Sequence, residues 1–318
     1  MAAIGRRITV FGGSGFIGRY LIRRLAVDGW VVRVAVRDPV AAAFLKTAGS
    51  LGQIVPMRCS VRDDELVAAA VSGAEAVVNL VGILYERGRQ RFDAVQAEAP
   101  AHIARAAAAA GVKRLVHISA IGADPNSKSR YARSKAFGEA GVRDVIPTAT
   151  ILRPSIVIGP EDQFFNRFAA MAQFLPALPL IGGGRTRFQP AYVGDIAEAI
   201  HRCVNDDATA GRTYELGGPR IYTFRELMEL MLKVIDRRRV LVPLPFALAS
   251  LQAALLELLP VPPLTRDQVR MLRSDNVVSP GALTFADLGM QPQAIEAILP
   301  TYLEIYRPGG RFAANRVA

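Results

Sequence analysis

The sequence predicts an α/β protein in which a doubly wound parallel sheet carries helices on both faces, with a smaller, mainly helical C-terminal lobe. In the first half of the chain, short β-branched runs alternate with helical patterns, and this alternation is typical of a parallel sheet. From about Phe164 onward prolines and glycines interrupt the chain, and helical patterns dominate after Thr223. We therefore expect a main domain at residues 1–163 and a C-terminal lobe at 164–318, with about 185–222 returning to the main domain.

The predicted elements follow from apolar runs and helical periodicity. Strands are expected at Ile8–Phe11, Val31–Val36, Ile54–Met57, Ala76–Val81, Leu115–Ile118 and Thr150–Leu152, the last continuing around Pro154 into Ile156–Ile158. Helices are expected at Phe16–Asp28, at Phe246–Leu259 and over the alanine-rich residues 94–110, which Gly111 ends as a C-cap.

The composition is that of a globular protein with a sizeable core. Hydrophobic residues make up 51% of the 318 residues and charged residues 21%, which excludes disorder as the main state. The two cysteines, Cys59 and Cys203, cannot form a disulfide framework, and the three histidines show no metal-binding spacing. The sequence therefore predicts no metal site and a reducing compartment.

The chain is basic because it is rich in arginine. Lys+Arg 39 minus Asp+Glu 28 gives a net charge of +11, and the longest basic run is only Arg237–Arg239. Basic and aromatic residues do not interleave, so no nucleic-acid partner is predicted. Two interpretations of the charge stay open: a solvated arginine-rich surface, or contact with an acidic membrane surface or an acidic protein.

The sequence indicates a soluble or peripheral protein. The first apolar run begins after seven residues, which leaves no room for a targeting peptide. No apolar run approaches the about 20 residues that span a bilayer. The nearest candidate is the segment 241–264, in which prolines bracket the Phe246–Leu259 helix, and its apolar side chains are either core or an interface.

A glycine-rich loop directly follows the first strand and opens the first helix. Its spacing is G-x-x-G-x-x-G, with Gly12 for the tight turn, Gly15 for close approach of a pyrophosphate and Gly18 for helix–sheet packing. This spacing is usual in short-chain dehydrogenase/reductase (SDR) proteins, which the chain resembles, and it predicts a Rossmann-type dinucleotide site. The expected contacts of this loop are Gly12, Ser14, Gly15, Phe16, Ile17 and Gly18.

The end of the second strand predicts a preference for NADP(H) over NAD(H). Val36 stands where an acid would accept from the ribose hydroxyls of NAD, and Arg37 follows it. A guanidinium attracts a 2′-phosphate, which an acid would repel. Arg19 is a weaker candidate for the same phosphate, and Asp38 would oppose it unless its side chain points into solvent.

Two further strand ends complete the predicted cofactor site by topology. Ser60 and Val61, after the third strand, are expected along the adenine. Asn79–Gly82, and in particular Leu80, Val81 and Gly82, should form the wall beside the ribose.

A Y-x-x-x-K pair follows the fifth strand. Tyr131 and Lys135 share one helical face, and in active SDR enzymes the tyrosine is the general acid/base while the lysine lowers its pKa and binds the ribose. Ser119 aligns with a structural serine of that superfamily, which leaves Ala120 at the catalytic Ser/Thr position. A one-residue shift would make Ser119 catalytic, and Ser127 or Ser129 could substitute. Without a hydroxyl, Tyr131 and Lys135 keep a ribose-binding role.

The chain also resembles the NADPH-binding accessory subunit of respiratory complex I, the alpha-subcomplex subunit nine family of NADH:ubiquinone oxidoreductase. The segments that carry the resemblance are Val77–Leu84 (VVNLVGIL), Ser129–Glu139 (SRYARSKAFGE), Leu152–Asp162 (LRPSIVIGPED), Phe188–Asp195 (FQPAYVGD) and Pro260–Val269 (PVPPLTRDQV). Pro154 in the third of these resembles the proline that borders the nicotinamide in the SDR superfamily.

The resemblance implies a function in which NADPH is held and not turned over. It implies a peripheral subunit beside the hydrophilic arm, close to the membrane and to the other complex I subunits. The arginine- and alanine-rich composition adds the expectation of a bacterial protein on the cytoplasmic side of the inner membrane. Two alternatives stay open: an active NADPH-dependent reductase or epimerase acting on a quinone- or isoprenoid-like substrate, and an NmrA-like NADP(H) sensor.

Overall fold

The computed structural model describes residues 5–310 and divides into two compact units. Within the described residues, the first unit contains residues 5–154 together with Gly194–Glu215 and Gly281–Met290. The second contains Ser155–Val193, Leu216–Pro280 and residues 291–310. Compared with the ranges expected from the sequence, the first unit ends earlier than residue 163 and also takes in the segment after Pro280.

The strands of the described residues are mostly short. They are β1 (Arg7–Phe11), β2 (Val31–Val36), β3 (Ile54–Arg58), β4 (Ala76–Asn79), β5 (Arg114–Ile118), β6 (Thr150–Pro154), β7 (Val157–Ile158), β8 (Ala177–Ile181), β9 (Arg187–Phe188), β10 (Ala191–Tyr192), β11 (Thr213–Leu216), β12 (Tyr222–Thr223) and β13 (Val240–Leu244).

The α-helices of the same residues are longest in the first unit. They are α1 (Phe16–Val27), α2 (Asp64–Val71), α3 (Ala99–Ala109), α4 (Arg130–Val145), α5 (Phe165–Phe174), α6 (Val193–Asn205), α7 (Phe224–Val234), α8 (Phe246–Leu256), α9 (Arg266–Met271), α10 (Ile295–Ile298) and α11 (Pro300–Leu303). A π-helix at Asp93–Glu98 precedes α3.

The first unit is built on the predicted sheet. Its strand order is β11-β6-β5-β4-β1-β2-β3, and the neighbouring strands from β3 to β6 pair in parallel. Every residue of β4 and β5 is buried, as expected for strands covered by helices on both faces. The order reverses between β1 and β4, and ligands of such folds bind at the carboxyl ends of the strands beside this switch point.

The predicted helix at 94–110 is interrupted. The structure has the π-helix at Asp93–Glu98 and begins α3 only at Ala99. Pro100 has no N–H to donate to the carbonyl group of Gln96, so the regular ladder cannot continue there. A Cβ added to Gly138 of α4 would lie 2.2 Å from that carbonyl oxygen. Close packing of α4 against the π-helix therefore requires a glycine at this position.

The second unit has its own core and three two-stranded sheets. The pairs are β7 with β10, β9 with β12 and β8 with β13. The run expected to continue β6 around Pro154 is thus a separate strand, β7, which pairs with β10. Side chains from α5, α7 and α10, among them Phe165, Phe224 and Ile295, form the core of this unit.

The helix expected at 246–259 ends at Leu256, and most of its leucines face outward. Only Ala249 and Ala253 of α8 are buried, whereas Leu251 and Leu255 are 64% and 65% exposed. No helix within residues 5–310 has the length and hydropathy needed to cross a membrane.

Candidate dinucleotide-binding site

The glycine loop joins β1 to α1 at the switch point of the sheet. Gly12 has φ +75°, and a Cβ there would lie 3.3 Å from backbone atoms of Leu80 and Val81. Gly15 is the N-cap of α1, has no side-chain cap, and no acidic residue occupies the first turn. Unpaired N–H groups and the positive end of the helix dipole at this place suit an anionic group such as a pyrophosphate.

Two glycines of the loop, Gly13 and Gly18, make packing contacts that differ from the prediction. A Cβ on Gly18 would lie 2.3 Å from the carbonyl oxygen of Gly13, so Gly18 lets α1 pack on the loop itself. Contact with the sheet is made at Gly13, where a Cβ would lie 2.8 Å from Val34 of β2 and 2.8 Å from Ile22 of α1. Gly13 was missed in the sequence because it lies outside the G-x-x-G-x-x-G spacing.

Arg37 is exposed just past the end of β2, and it forms no ion pair with any described residue. The carboxylate of Asp38 accepts hydrogen bonds from the N–H groups of Val40 and Ala41, both at 3.0 Å. The Asp38 side chain thereby stabilises a turn, and the dipoles of these two N–H groups partly offset its negative charge. Arg19 lies over the ring of Phe44, with 5.3 Å between the guanidinium carbon and the ring centroid.

The residues predicted to line the adenine and the ribose follow β3 and β4. Ser60 and Val61 are partly buried after β3. At the end of β4, Asn79 Oδ1 accepts from the N–H of Val81 at 3.0 Å. The N–H of Leu80 still donates to the carbonyl oxygen of Phe11 in β1 at 3.0 Å, so it is at Val81 that the chain leaves the sheet, and β4 ends at Asn79 and not at Val81.

Tyr131 and Lys135 lie on α4, as the spacing predicts. Lys135 is 4% exposed, and its Nζ donates to the carbonyl oxygen of Ile118 at 3.1 Å. Burial lowers the pKa of Lys135 to about 8, while the nearby Glu139 opposes this effect. A Cβ on Gly82 would lie 3.4 Å from Nζ, so the ammonium group lies beside the wall that β4 provides.

In the structure without a nucleotide, burial is the main influence on the pKa of the tyrosine. Burial raises the pKa of Tyr131 to about 12, although the lysine of an active pair lowers the pKa of its tyrosine. Nζ of Lys135 lies 6.0 Å from the centroid of the Tyr131 ring. The ring packs edge-on against Phe92, with 5.8 Å between centroids.

The candidate hydroxyls differ in what they bind. Ser129 is the N-cap of α4 and accepts from the N–H of Ala132, while Ser127 Oγ accepts from the N–H of Ser129. Ser119 Oγ is buried and has no hydrogen-bond partner among residues 5–310. Ala120, at the expected catalytic position, is partly exposed. Ser119 is therefore the one of these hydroxyls that the described structure does not use elsewhere.

His117 adds a buried polar group that sequence reasoning did not assign. Asn79 Nδ2 lies 3.1 Å from His117 Nδ1. Because Asn79 Oδ1 already accepts from Val81, the amide nitrogen donates and the imidazole keeps its proton on Nε2. Burial, with a smaller contribution from Lys135, lowers the pKa of His117 to about 3. The ring is therefore neutral, and Nε2 has no partner among the described residues.

Gln96 of the π-helix connects two parts of the site and was also missed. Its Oε1 accepts from the N–H of Ile83 at 2.7 Å, and its Nε2 donates to Ser134 Oγ at 3.0 Å. Ser134 in turn donates to the carbonyl oxygen of Tyr131. Gln96 thus links the segment after β4 to the helix that carries Tyr131.

A buried ion pair fixes the following turn of α4 to the sheet. Arg153 of β6 binds Glu139 through two hydrogen bonds, at 2.9 and 2.7 Å, and lies 3.5 Å from Glu215. Pro154, next in the chain, is buried, and its carbonyl oxygen accepts from the N–H of Ile121.

These residues fit a dinucleotide. The glycine loop offers backbone N–H groups without room for side chains, and Arg37 is an uncommitted cation at the end of β2. Ser119 Oγ and His117 Nε2 are buried polar atoms without hydrogen-bond partners among residues 5–310, and they lie at the end of β5, where a ligand could satisfy them. No group of three or more His, Cys, Asp or Glu residues that could hold a metal occurs in the described part of the chain.

Comparison with known proteins gives the class to which the chain belongs. A model of the NAD dependent epimerase/dehydratase family matches residues 8–217, and the chain is a member of that family. Its fold is shared by the dTDP-glucose 4,6-dehydratase DesIV from Streptomyces venezuelae, solved with NAD bound. The TM-score is 0.70 at 21% identity, over 93% of this chain and 95% of that one.

Within that class, the chain belongs to a family of subunits of the mitochondrial NADH dehydrogenase. It is 39% identical to subunit 9 of the NADH dehydrogenase (ubiquinone) 1 alpha subcomplex of Arabidopsis thaliana, over 95% of this chain and 78% of that protein. It is 34% identical to the NADH-ubiquinone oxidoreductase 40 kDa subunit of Neurospora crassa, over 95% and 80%. A shorter match, 34% over 55% of this chain and 53% of the other, is to the ceramide reductase of Caulobacter vibrioides.

Proposed function

We propose that the chain is an NAD(P)-binding accessory subunit of respiratory complex I that performs no turnover of its own and stabilises the junction of the hydrophilic and membrane arms. The observation that carries the proposal is the likeness to subunit 9 over nearly the whole chain. The glycine loop, Lys135 and the strand ends support nucleotide binding. The bound dinucleotide would supply a hydride donor or acceptor, which an accessory subunit holds as part of its structure.

The site favours retention of the nucleotide over chemistry. Ala120 offers no hydroxyl for a developing alkoxide, which is the electrostatic role required there. With its pKa raised to about 12, Tyr131 stays protonated at neutral pH and is a weak proton donor. Lys135 keeps a buried ammonium group that can bind ribose hydroxyls.

The preferred nucleotide in this proposal is NADP(H). Arg37 is exposed and unpaired within the described residues, so it can bind a 2′-phosphate without breaking another contact. Asp38 does not cancel it, because the Asp38 carboxylate is bonded to Val40 and Ala41.

The apolar face of α8 supports peripheral contact with a membrane. We define this face by its exposed leucines, which recur at helical spacing: Leu248, Leu251 and Leu255. Exposed apolar patches of this kind mark protein or membrane contacts. Arg238 and Arg270 of the same unit are exposed, and arginines suit anionic headgroups. We infer attachment to the cytoplasmic side of a bacterial inner membrane, beside the other complex I subunits.

The test of the proposed function is isolation of the tagged chain from mildly solubilised membranes of its source organism. Subunits of NADH:quinone oxidoreductase, identified by mass spectrometry in stoichiometric amounts, are expected. A matched control is the Gly18→Ala variant, which should recover fewer of them because it disrupts the nucleotide-binding loop. Recovery of the wild-type chain alone, from membranes that contain intact complex I, would refute the proposal.

Ser119 favours a second candidate, an NADPH-dependent reductase with a lipid-like substrate. Its unpartnered hydroxyl lies at the end of β5, and Tyr131 and Lys135 are present on α4. The partial likeness to a ceramide reductase agrees with this reading. Oxidation of NADPH by the purified chain with a quinone- or lipid-like carbonyl compound, lost in Ser119→Ala, would favour the reductase over the accessory subunit.

A further inference from the structure

The segment between β4 and the π-helix, residues 80–92, contacts three parts of the candidate site. We call it the crossover loop. At its start, Leu80 and Val81 lie against the glycine loop at Gly12. Near its middle, the carbonyl oxygen of Arg89 accepts from Arg62, which follows Ser60 and Val61, at 3.2 Å. At its end, Phe92 packs on the ring of Tyr131.

Apart from Phe92, which is 4% exposed, little apolar burial holds this loop in place. Gly82, Leu84, the segment 87–89 and Arg91 are exposed, and a tight turn closes on itself through hydrogen bonds between Arg87 and Gln90. Segments with few buried apolar contacts open at low cost in free energy. The polar contacts must therefore supply most of the stability of the closed loop.

Glu86 is the centre of those contacts. One carboxylate oxygen accepts from the N–H of Phe92 at 2.9 Å and lies 3.4 Å from Arg91, and the other accepts from Arg130 at 2.8 Å. The Glu86 side chain is only 19% exposed, so this network is worth more than a surface ion pair. Arg130 is the first residue of α4, the helix of Tyr131 and Lys135, and it also pairs with Asp93.

We propose that Glu86 is a positioning residue that fastens the crossover loop to α4 and thereby retains the dinucleotide. The inference rests on the proposed nucleotide binding and adds to it a residue that controls release. Loss of the Glu86–Arg130 pair frees the loop between its contacts with Arg62 and Tyr131. The nucleotide therefore leaves faster, although the contacts that the nucleotide itself makes stay intact.

The test is the release rate of NADPH from the full-length chain, measured by chase with excess NADP+. Glu86→Gln and Arg130→Met should each release it about 10- to 100-fold faster than wild type, as expected for loss of a charge-assisted bond. The effects of the two substitutions should be far from additive in the double variant, because both remove the shared Glu86–Arg130 pair. Glu98→Gln, an exposed glutamate of the adjacent π-helix, is the matched control and should behave as wild type.

A second readout needs no nucleotide. Amide hydrogen exchange at residues 83–91 of the nucleotide-free chain should be faster in Glu86→Gln than in Glu98→Gln. Unchanged release together with unchanged exchange in Glu86→Gln, or additive effects in the double variant, would overturn the inference. A wild-type chain that binds no NADPH would instead contradict the proposed function, and hydrogen exchange would still test the loop.

Discussion

The ammonium group of Lys135 donates to the carbonyl oxygen of Ile118, the last residue of β5, at 3.1 Å. This bond holds a buried cation at the carboxyl edge of the sheet, beside His117 and the wall that follows β4. It also directs Nζ to the backbone, 6.0 Å from the centroid of the Tyr131 ring. In the proposed function this ammonium group binds a ribose, while the tyrosine keeps a raised pKa.

Replacing Lys135 with Met should stabilise the nucleotide-free chain near neutral pH and abolish nucleotide binding. The pKa of Lys135 falls from 10.5 in the unfolded chain to about 8 on folding. Between pH 8 and 10.5 the unfolded state therefore binds more protons, and the free energy of unfolding of the wild type rises with pH, by about 3 kcal/mol in total. Lys135→Met should lack this rise in urea titrations at several pH values.

The exposed Lys128, just before α4, provides the control: Lys128→Met should keep both the pH dependence and nucleotide binding. If Lys135→Met bound NADPH as tightly as the wild type, the role of Lys135 at the ribose would be wrong.

Ser119→Ala should leave the stability of the nucleotide-free chain unchanged or raise it by about 1 kcal/mol, because it removes a buried hydroxyl without a protein partner. Ser134→Ala is the matched control. Its hydroxyl is also buried but bonds Gln96 and Tyr131, so its loss should cost about 1–2 kcal/mol. Chemical denaturation measures both, and a large loss of stability in Ser119→Ala would show that this hydroxyl has an undetected structural partner.

Arg37→Ala should weaken NADPH binding by about 10- to 100-fold and leave NADH binding nearly unchanged, since a guanidinium–phosphate bond is charge-assisted. Fluorescence titration with both nucleotides gives the ratio of dissociation constants. Arg23→Ala, an exposed arginine of α1, should not change that ratio. Equal losses for NADPH and NADH in Arg37→Ala would argue against selection at the end of β2.

Gly18→Ala should destabilise the first unit by roughly 3 kcal/mol or more, because the new Cβ would lie 2.3 Å from the Gly13 carbonyl oxygen. The control variant Gly29→Ala separates the effect of steric overlap from the effect of backbone strain. Gly29 has φ +79° but open space around it, so its replacement should cost only about 1–2 kcal/mol. Thermal unfolding compares them, and equal effects would contradict the close approach of α1 to the loop.

Changing Leu251 and Leu255 together to Glu should reduce binding of the chain to vesicles that contain anionic lipid, because both leucines lie on the exposed face of α8. The control is Leu51→Glu, a fully exposed leucine of the first unit, which should bind as the wild type does. Co-sedimentation at low salt measures the bound fraction. Unchanged binding of the double variant would exclude α8 from the contact.

The fold could be predicted because its signals are local. β2 lies at Val31–Val36 as expected, and the glycine loop stands between β1 and α1, since β-branched runs and glycine spacing depend on neighbouring residues only. The break at Asp93–Glu98 could not be predicted in the same way. It combines the missing N–H of Pro100 with the approach of Gly138, which lies on a different helix.

The sequence predicted which residues lie at the strand ends of the candidate site, and it did not predict their polar partners. The Y-x-x-x-K spacing identifies Tyr131 and Lys135 in the sequence. Gln96, His117 and Glu86 instead act through residues that are far away in the chain. Glutamine, histidine and glutamate are common residue types, so their identity alone does not point to a role in the site. A polar residue at the end of a buried strand, such as Asn79 of β4, was the signal that could have pointed to His117.

The sequence left the apolar segment 241–264 open between core and interface. In the structure, Ala249 and Ala253 are buried, whereas most leucines of α8, which are larger than alanine, are exposed. The sequence could not predict which face of this helix is exposed, because its composition is nearly uniformly apolar and no polar stripe marks the outer face.

The most direct test of the central claim is the nucleotide content of the chain in its native assembly. We would isolate the assembly gently, denature it, and quantify the released nucleotide by chromatography before and after NADH oxidation with a quinone. The account predicts about one NADP(H) per chain, with its redox state unchanged by turnover. An assembly without nucleotide, or an NADPH pool consumed along with the quinone, would contradict it.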